Sequence, residues 1–363
     1  MKKTITLSFL CIICILIKSV NAAVLTVSNI PNGPGQYSSL GAAQTGANND
    51  DTLLIHGTAL NYGDFTLTKR LVLIGAGYYQ NNVITNNYSF INNLRFNKTA
   101  NGAKVFGIYS YYIACTGNST DTINNILIEE CLIGQLIDNY SSTINNYIPW
   151  TNITIRNCHF DRNADGGTNN PDMSFIFSYT NANIRIENCI FDGYVNGKGL
   201  IFNHCLFLMA SVGQPTFHTV TNSLIENCMF IRANNGPTFF DYANSINNTF
   251  NNNLTFRGSG DALPYAGCNG DSNLVLIDPK FVTASHTSFF NISSDYHLQT
   301  ISPAKNAATD GTDIGVYGGV NGFSTVLEPL MTPIIRQFTI NNPTVTPGGT
   351  LNINVQVTKP LAQ

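Results

Sequence analysis

Charge is scarce in this chain: 18 Lys and Arg and 21 Asp and Glu among 363 residues, 11% of the whole, for a formal net charge of −3. So few cations, without clustering, exclude the basic face that a nucleic-acid binder needs. Strong helix formers are also few, while Asn, Thr, Ser and Gly abound, which weighs against a helical architecture and points to an all-β chain. Long apolar runs are missing beyond the first twenty residues, so no later stretch is expected to span a membrane. Low charge with high Asn is compatible with disorder, but regularly spaced apolar units argue against it.

Residues 1–22 have the pattern of a secretory signal. Lys2 and Lys3 provide a positive start, residues 5–17 an apolar run too short to span comfortably, and Val20-Asn21-Ala22 a small-residue cleavage site. A lipoprotein would need a small residue before Cys11 or Cys14, where Leu10 and Ile13 stand; an uncleaved anchor is the other alternative. Cleavage removes Lys2, Lys3 and Lys18 and takes the formal charge from −3 to −6. Of nine Cys, Cys11 and Cys14 leave with the leader; the odd number remaining leaves at least one free thiol in an exported protein.

What the chain does have is a recurring unit, Ile184-Arg185-Ile186-Glu187-Asn188-Cys189-Ile190-Phe191. Copies occur at Thr154–Phe160, Ile201–Phe207 and Leu224–Phe230, with weaker ones at Leu127–Ile133 and Ile246–Phe250, where Asn248 is taken to hold the Cys place. From Cys131 to Asn248 the steps are 27, 31, 16, 23 and 20 residues. A strand-sized unit returning every twenty-odd residues is the mark of a solenoid. Alternation of period two within each unit is strand spacing. Arg156 is hard to bury, which argues for a bend near Asn157 that swaps faces.

Stacking at about 4.8 Å per layer would superpose like positions. The Cys positions would form a buried column of small hydrophobes, with metal binding and disulfides within it disfavoured by their parallel side chains. Asn157, Asn188, Asn227 and Asn247 would line a corner, since Asn tolerates left-handed backbone. The step of 16 needs either a tight turn at 196–199 or a change of face for one motif. The pairing of Cys115 and Cys268 is left open.

The expected organisation follows. Residues 1–22 are the signal, 23–320 the solenoid, and 321–363 a Pro-broken linker with a β-hairpin or partial β-sandwich. A strand at 23–27 and a one- or two-turn helix from Ser38 or Ser39 to Ala47, with Leu40, Ala43 and Ala47 on one face, would cap the open end.

Two sets of motifs carry a resemblance. The first is Asp51-Thr52-Leu53-Leu54-Ile55-His56-Gly57-Thr58 followed by Leu71-Val72-Leu73-Ile74-Gly75-Ala76-Gly77. The second is Asp278-Pro279-Lys280-Phe281, Asp295-Tyr296-His297-Leu298, Ser302-Pro303-Ala304 and Asp313-Ile314-Gly315-Val316-Tyr317-Gly318. Together they resemble the opening and closing coils of secreted bacterial proteins of the pectin-lyase-like superfamily, over residues 25–320. The resemblance implies a single-stranded right-handed parallel β-helix. For activity it implies little, because fold does not fix function.

The superfamily's lyases use Ca²⁺ on carboxylates with an Arg or Lys base, and its hydrolases a carboxylate set. Their motifs are missing here: there is no Asn-Thr-Asp, Gly-His-Gly, Arg-Ile-Lys or Arg-x-Pro-x-x-Arg, and the lone Asp-Asp, Asp50-Asp51, lies at the N-terminal cap. What remains is the register after the Cys column, where Asp161, Arg162, Asp192 and Arg232 are the candidate catalytic or Ca²⁺-contacting residues. The competing reading is a solvated corner with one surface ion pair. His159 and His204 are expected to line a corner. Tyr147, Trp150 and Tyr194 are the candidate carbohydrate-binding faces, with Tyr109, Tyr111, Tyr112 and Tyr140 as further aromatics; their competing role is to pack a long loop against the coil wall.

The expectation is therefore an exported, non-catalytic, monomeric module at the surface or outside the cell, binding extracellular polysaccharide or mediating adhesion to a cell-surface component, with no cofactor and no metal. The alternative is a divergent polysaccharide lyase or glycoside hydrolase acting on an acidic polysaccharide, for which Ca²⁺ is possible.

Overall fold

The computed structural model describes residues 22–77, 88–118, 120–137, 148–161, 173–177, 182–209, 215–236, 238–258, 262–284, 290–323, 334–340, 348–350 and 352–358. Residues 1–21, and with them most of the expected signal, lie outside this set.

The strands pair almost wholly in parallel with the next coil, which makes the chain a parallel β-helix. A first face stacks ten strands: Val24–Val27, Thr52–Ile55, Val72–Ile74, Lys104–Phe106, Leu127–Glu129, Trp150–Arg156, Ala182–Glu187, Leu200–Asn203, Leu224–Glu226 and Thr249–Asn251. Isolated parallel bridges from Thr249 to Asn269 and from Leu254 to Leu274 continue the stack one layer further. A second face follows round the corner, through Phe90–Phe96, Tyr109–Cys115, Leu132–Ile137, His159–Phe160, Ile190–Phe191, Leu206–Met209, Met229–Gly236 and Leu254–Gly258. A third face carries Met173–Phe177, Tyr194–Lys198 and Phe217–Thr221. Leu132–Ile137 bridges the last two faces, pairing with His159–Phe160 at its start and with Met173–Phe177 at its end.

The corners explain the sequence pattern. Between the first and second faces stand Glu130, Asn157, Asn188, His204, Asn227 and Asn252, all with φ between 50° and 58°. That left-handed bend costs most residues 1–2 kcal/mol, and Asn least among those with a side chain. It swaps faces as the Arg156 argument requires: Ile155 is buried before it, Cys158 and Phe160 after it.

A second left-handed corner, between the third and first faces, holds Asn125, Asn152, Asn183, Gly199, Asn222 and Asn247. Gly199 closes the 16-residue step as a tight turn, and Ile190 pairs directly with Leu206, so Cys189 and Cys205 share one column. The last unit corrects the sequence reading. Leu224–Glu226 pairs with Thr249–Asn251, so Asn253, not Asn248, takes the Cys place, and Asn247 belongs to the second corner. Two Asn-Asn corners five residues apart made the local pattern ambiguous. Asn253 bonds inward like a rung, its amide donating to the Ile225 carbonyl and its oxygen accepting from Cys228 N.

The interior is packed with aromatic rings. Phe160, Phe191, Phe207 and Phe230 stack at 4.6, 4.9 and 4.7 Å between ring centroids. Beside them runs the buried Cys column, and no disulfide joins any of the seven described cysteines.

At the N-terminal end the helix Leu40–Gly46 (α1) is capped by Ser39, whose side chain accepts from Ala42 N, and it buries Leu40 and Ala43. At the far end Leu274 bridges to Leu254, and residues 274–284 and 290–323 then lie as a strap over the outside of the second face. Phe281, Tyr296, Leu298, Ile314 and Val316 of the strap cover Ile190, Leu206, Leu208, Met229 and Leu254 in a second apolar cluster. Ile334–Ile340 and Ile353–Thr358 form an antiparallel pair.

Candidate functional site

Two outward rows run along the second face. The strand register aligns Phe90, Tyr109, Leu132, His159, Ile190, Leu206, Met229 and Leu254 in one row. Two residues further along each strand lie Asn92, Tyr111, Gly134, Asp161, Asp192, Leu208, Ile231 and Phe256. From Ile190 onward the strap covers both rows. From Phe90 to Leu132 the side chains remain half-buried.

Aromatics gather on that open half. The Phe90 and Tyr109 rings stack at 4.5 Å with a 20° interplanar angle. Tyr111 stands edge-on to Phe90 at 4.6 Å and to Tyr109 at 5.7 Å, and Tyr88 meets Tyr109 at 5.9 Å. Burial pushes the Tyr109 phenol above its ordinary range, and the neighbouring Tyr111 and Asp161 add to that. It is therefore a neutral hydroxyl, a donor and an acceptor, at any physiological pH. Flat rings with hydroxyls at their rims and Asn92 alongside offer one apolar face and several hydrogen-bonding groups, which suits a pyranose.

At the seam between open and covered halves, His159 Nε2 lies 2.8 Å from Asp192 Oδ2, and Phe290 N donates to Asp192 Oδ1 at 3.0 Å. The Phe290 ring closes over His159 at 5.2 Å. Burial raises the Asp192 carboxyl despite these partners.

The sequence-nominated residues divide accordingly. Asp161 and Asp192 do stand one coil apart, since Phe160 pairs with Phe191. Asp161 is half-buried, but Asp192 is only 2% exposed and sealed under the strap. Arg232 lies three coils beyond Asp161, about 14 Å along the stack. It is 2% exposed, with Nη2 donating to the Thr238 carbonyl and its guanidinium 5.0 Å from the Phe239 ring. Arg162 and Tyr147 lie outside the described residues.

The expectation for Trp150 is overturned. It begins the strand Trp150–Arg156, is fully buried and packs edge-on against Phe96 at 5.9 Å, so it offers no face to a sugar. Pro149 before it suggested a loop, but the ring fills the core. Tyr194 is half-buried on Tyr194–Lys198, 5.6 Å from the His218 ring and away from the aromatic group. Of the two histidines expected at corners, His204 occupies one, whereas His159 stands on the strand His159–Phe160 of the second face.

These residues do not fit a Ca²⁺ site. Both Asp192 oxygens are taken, Arg232 is remote, and Ca²⁺ needs six to eight oxygen ligands. Among the described residues no group of three metal-ligating side chains converges, and no helix is long and apolar enough to cross a membrane.

Phe90, Tyr88, Asn92 and Leu132 escaped the sequence reading. The likeness of Tyr88-Ser89-Phe90 to Tyr109-Ser110-Tyr111 was visible, but the register places Phe90, not Tyr88, against Tyr109.

No family model matches this chain, and no curated protein matches it. Seven solved chains match, among them one described as "Crystal structure of pectate lyase Pel9A", at 13% identity and a TM-score of 0.47, covering 82% of this chain and 97% of that one.

Proposed function

We propose that this chain is an exported, non-catalytic β-helix module of the pectin-lyase-like kind that binds extracellular polysaccharide. Its contact surface is the open half of the second face: Tyr88, Phe90, Tyr109 and Tyr111, with Asn92 and Leu132 beside them. The observation that carries this is the stacked, half-buried Phe90–Tyr109 pair at the uncovered end of a row whose other end holds a strap of the chain itself. Phe90 and Tyr109 stand one coil apart, so a glycan crossing this part of the face meets the edges of the stacked pair together with the tyrosine hydroxyls. The module acts as a monomer, needs no cofactor, and stays outside the cell or at its surface.

The sealing of Asp192 weighs against the lyase or hydrolase alternative, which needs an acid and a base open to one substrate. The test is incubation of the exported chain with a panel of plant, algal and host polysaccharides, with and without Ca²⁺, reading product size and retained protein together. Retention on a polymer without new products is the expected result. Short or unsaturated products would overturn the non-catalytic reading, and neither products nor retention would overturn polysaccharide binding.

A further inference from the structure

Asp51 is a buried carboxylate, 2% exposed, standing where the chain enters its second coil. Its Oδ1 accepts from Ala23 N at 2.7 Å and its Oδ2 from Asn48 N at 2.7 Å. Among the described residues no cationic side chain pairs with it. Arg70 is taken by Asp50 at 2.6 Å, and Lys69 donates to the Ala47 and Thr45 carbonyls. A buried carboxylate held only by two neutral amides is a costly arrangement, which a nearby cation relieves.

Ala23 is the residue that follows the small-residue motif Val20-Asn21-Ala22. Its nitrogen meets Asp51, while its carbonyl accepts from Thr52 N at 2.8 Å, so it is held on both sides at the edge of the first coil. We propose that a leader peptidase hydrolyses the Ala22–Ala23 bond and that the α-ammonium so released becomes the counter-ion of Asp51. Water adds across the peptide bond, Ala22 leaves with the leader as a carboxylate, and Ala23 keeps the nitrogen, which takes up a proton. An α-amino group with an ordinary pKa of about 7.7–8.0 is charged at neutral pH, and a carboxylate partner favours that charge further. Processing thus converts a neutral N–H···O bond into a charge-assisted one and locks the first strand, Val24–Val27, onto Thr52–Ile55. The N-terminal cap of the solenoid is complete only in the processed chain.

Two measurements test this. The full chain is produced in an exporting bacterial host and the intact mass of the product recorded. Ala23 is the expected first residue; any other start, or retention of the leader, overturns the assignment. Next, thermal midpoints are compared for protein beginning at Ala23 and protein carrying Gly-Ser ahead of it. The processed form should melt on the order of 2–4 °C higher, and the difference should vanish when both carry Asp51→Asn. No difference between the two forms, or an equal difference in the D51N pair, overturns the ion pair. If D51N does not fold, the mass and the wild-type comparison still decide the matter. Neither measurement depends on glycan binding.

Discussion

The side-chain amide of Asn188 donates to the Val316 carbonyl at 2.9 Å and to the Gly318 carbonyl at 2.8 Å, joining a coil corner to strap residues about 130 positions later. The same corner repeats the device in successive coils. Asn227 donates to Thr309 Oγ1 and accepts from Thr309 N, Asn252 donates to the Ala307 carbonyl, and His204 Nε2 lies 3.1 Å from Asp310. At this corner Asn188, Asn227 and Asn252 turn outward to hold the strap, whereas at the other corner Asn183 donates to the Asn152 side chain one coil earlier.

Asn188→Ala should therefore loosen the strap before the coils. The substitution leaves two carbonyls without their donor and places Ala in a left-handed conformation, a combined loss of about 2–4 kcal/mol. Asn188→Gly keeps the bend and should lose only the hydrogen-bond share. Amide exchange in 290–323 is the measurement: protection should fall there and persist in Leu200–Asn203 and Leu224–Glu226. Loss spread evenly over the coils would contradict this role for Asn188.

Phe90→Ala and Tyr109→Ala should each weaken retention on the cognate polysaccharide about five- to 150-fold, since one aromatic contact contributes about 1–3 kcal/mol. Tyr194→Ala should leave retention unchanged, because that ring lies away from the aromatic group. Affinity electrophoresis of the three variants decides between this surface and another.

Thiol labelling should divide the cysteines sharply. Burial pushes the Cys131, Cys158, Cys189 and Cys228 thiols up, so they are both inaccessible and protonated. Cys268 is only half-buried. In native protein at pH 8 a thiol reagent should modify Cys268 first, and the column only after denaturant is added. Rapid native labelling of the column, read by peptide mass, would refute the closed core.

Glu130 gives a pH dependence of defined sign. It stands at a corner, with φ of 52°, where four other coils have Asn and one has His204, and burial with help from Glu129 raises its carboxyl to about 7, against the pull of Arg156. A carboxyl raised on folding disfavours the charged form, so it costs nothing below its unfolded pKa near 4.5 and becomes destabilising as pH rises toward 7. Glu130→Asn should raise stability at pH 8 by about 1–3 kcal/mol, and the gain from removing the charge should shrink as pH falls to 4. Melting curves of both proteins at the two pH values provide the check.

Much of the scaffold was legible because its signals are local. Period-two alternation marked the strands, Arg156 next to Asn157 required a face-swapping bend, and Ser39 ahead of Leu40 and Ala43 marked the cap helix. Where two signals of equal strength lay close together, local reading failed. Asn247-Asn248 and Asn252-Asn253 are alike as dipeptides, and only pairing with Leu224–Glu226 showed which one continues the Cys column. Trp150 failed for another reason: a Pro before an aromatic looks the same in a loop as at the first residue of a strand whose ring turns inward.

The site was less legible than the fold, because it depends on which outward row is covered and which is left open. Asp161 and Asp192 occupy equivalent positions in adjacent coils, and nothing in their own sequence distinguishes them. The strap does, since Phe290 seals Asp192 and leaves Asp161 half-buried. By itself the sequence determined a stack of parallel coils with a cysteine-lined core and left-handed corners, because strand period and backbone handedness are properties of neighbouring residues. Only the tertiary structure decided that Phe90, Tyr109 and Tyr111 share one open face and that Asp192 and Arg232 are enclosed. Register between coils, and the return of a distant segment over one of them, are set by contacts that no local window contains.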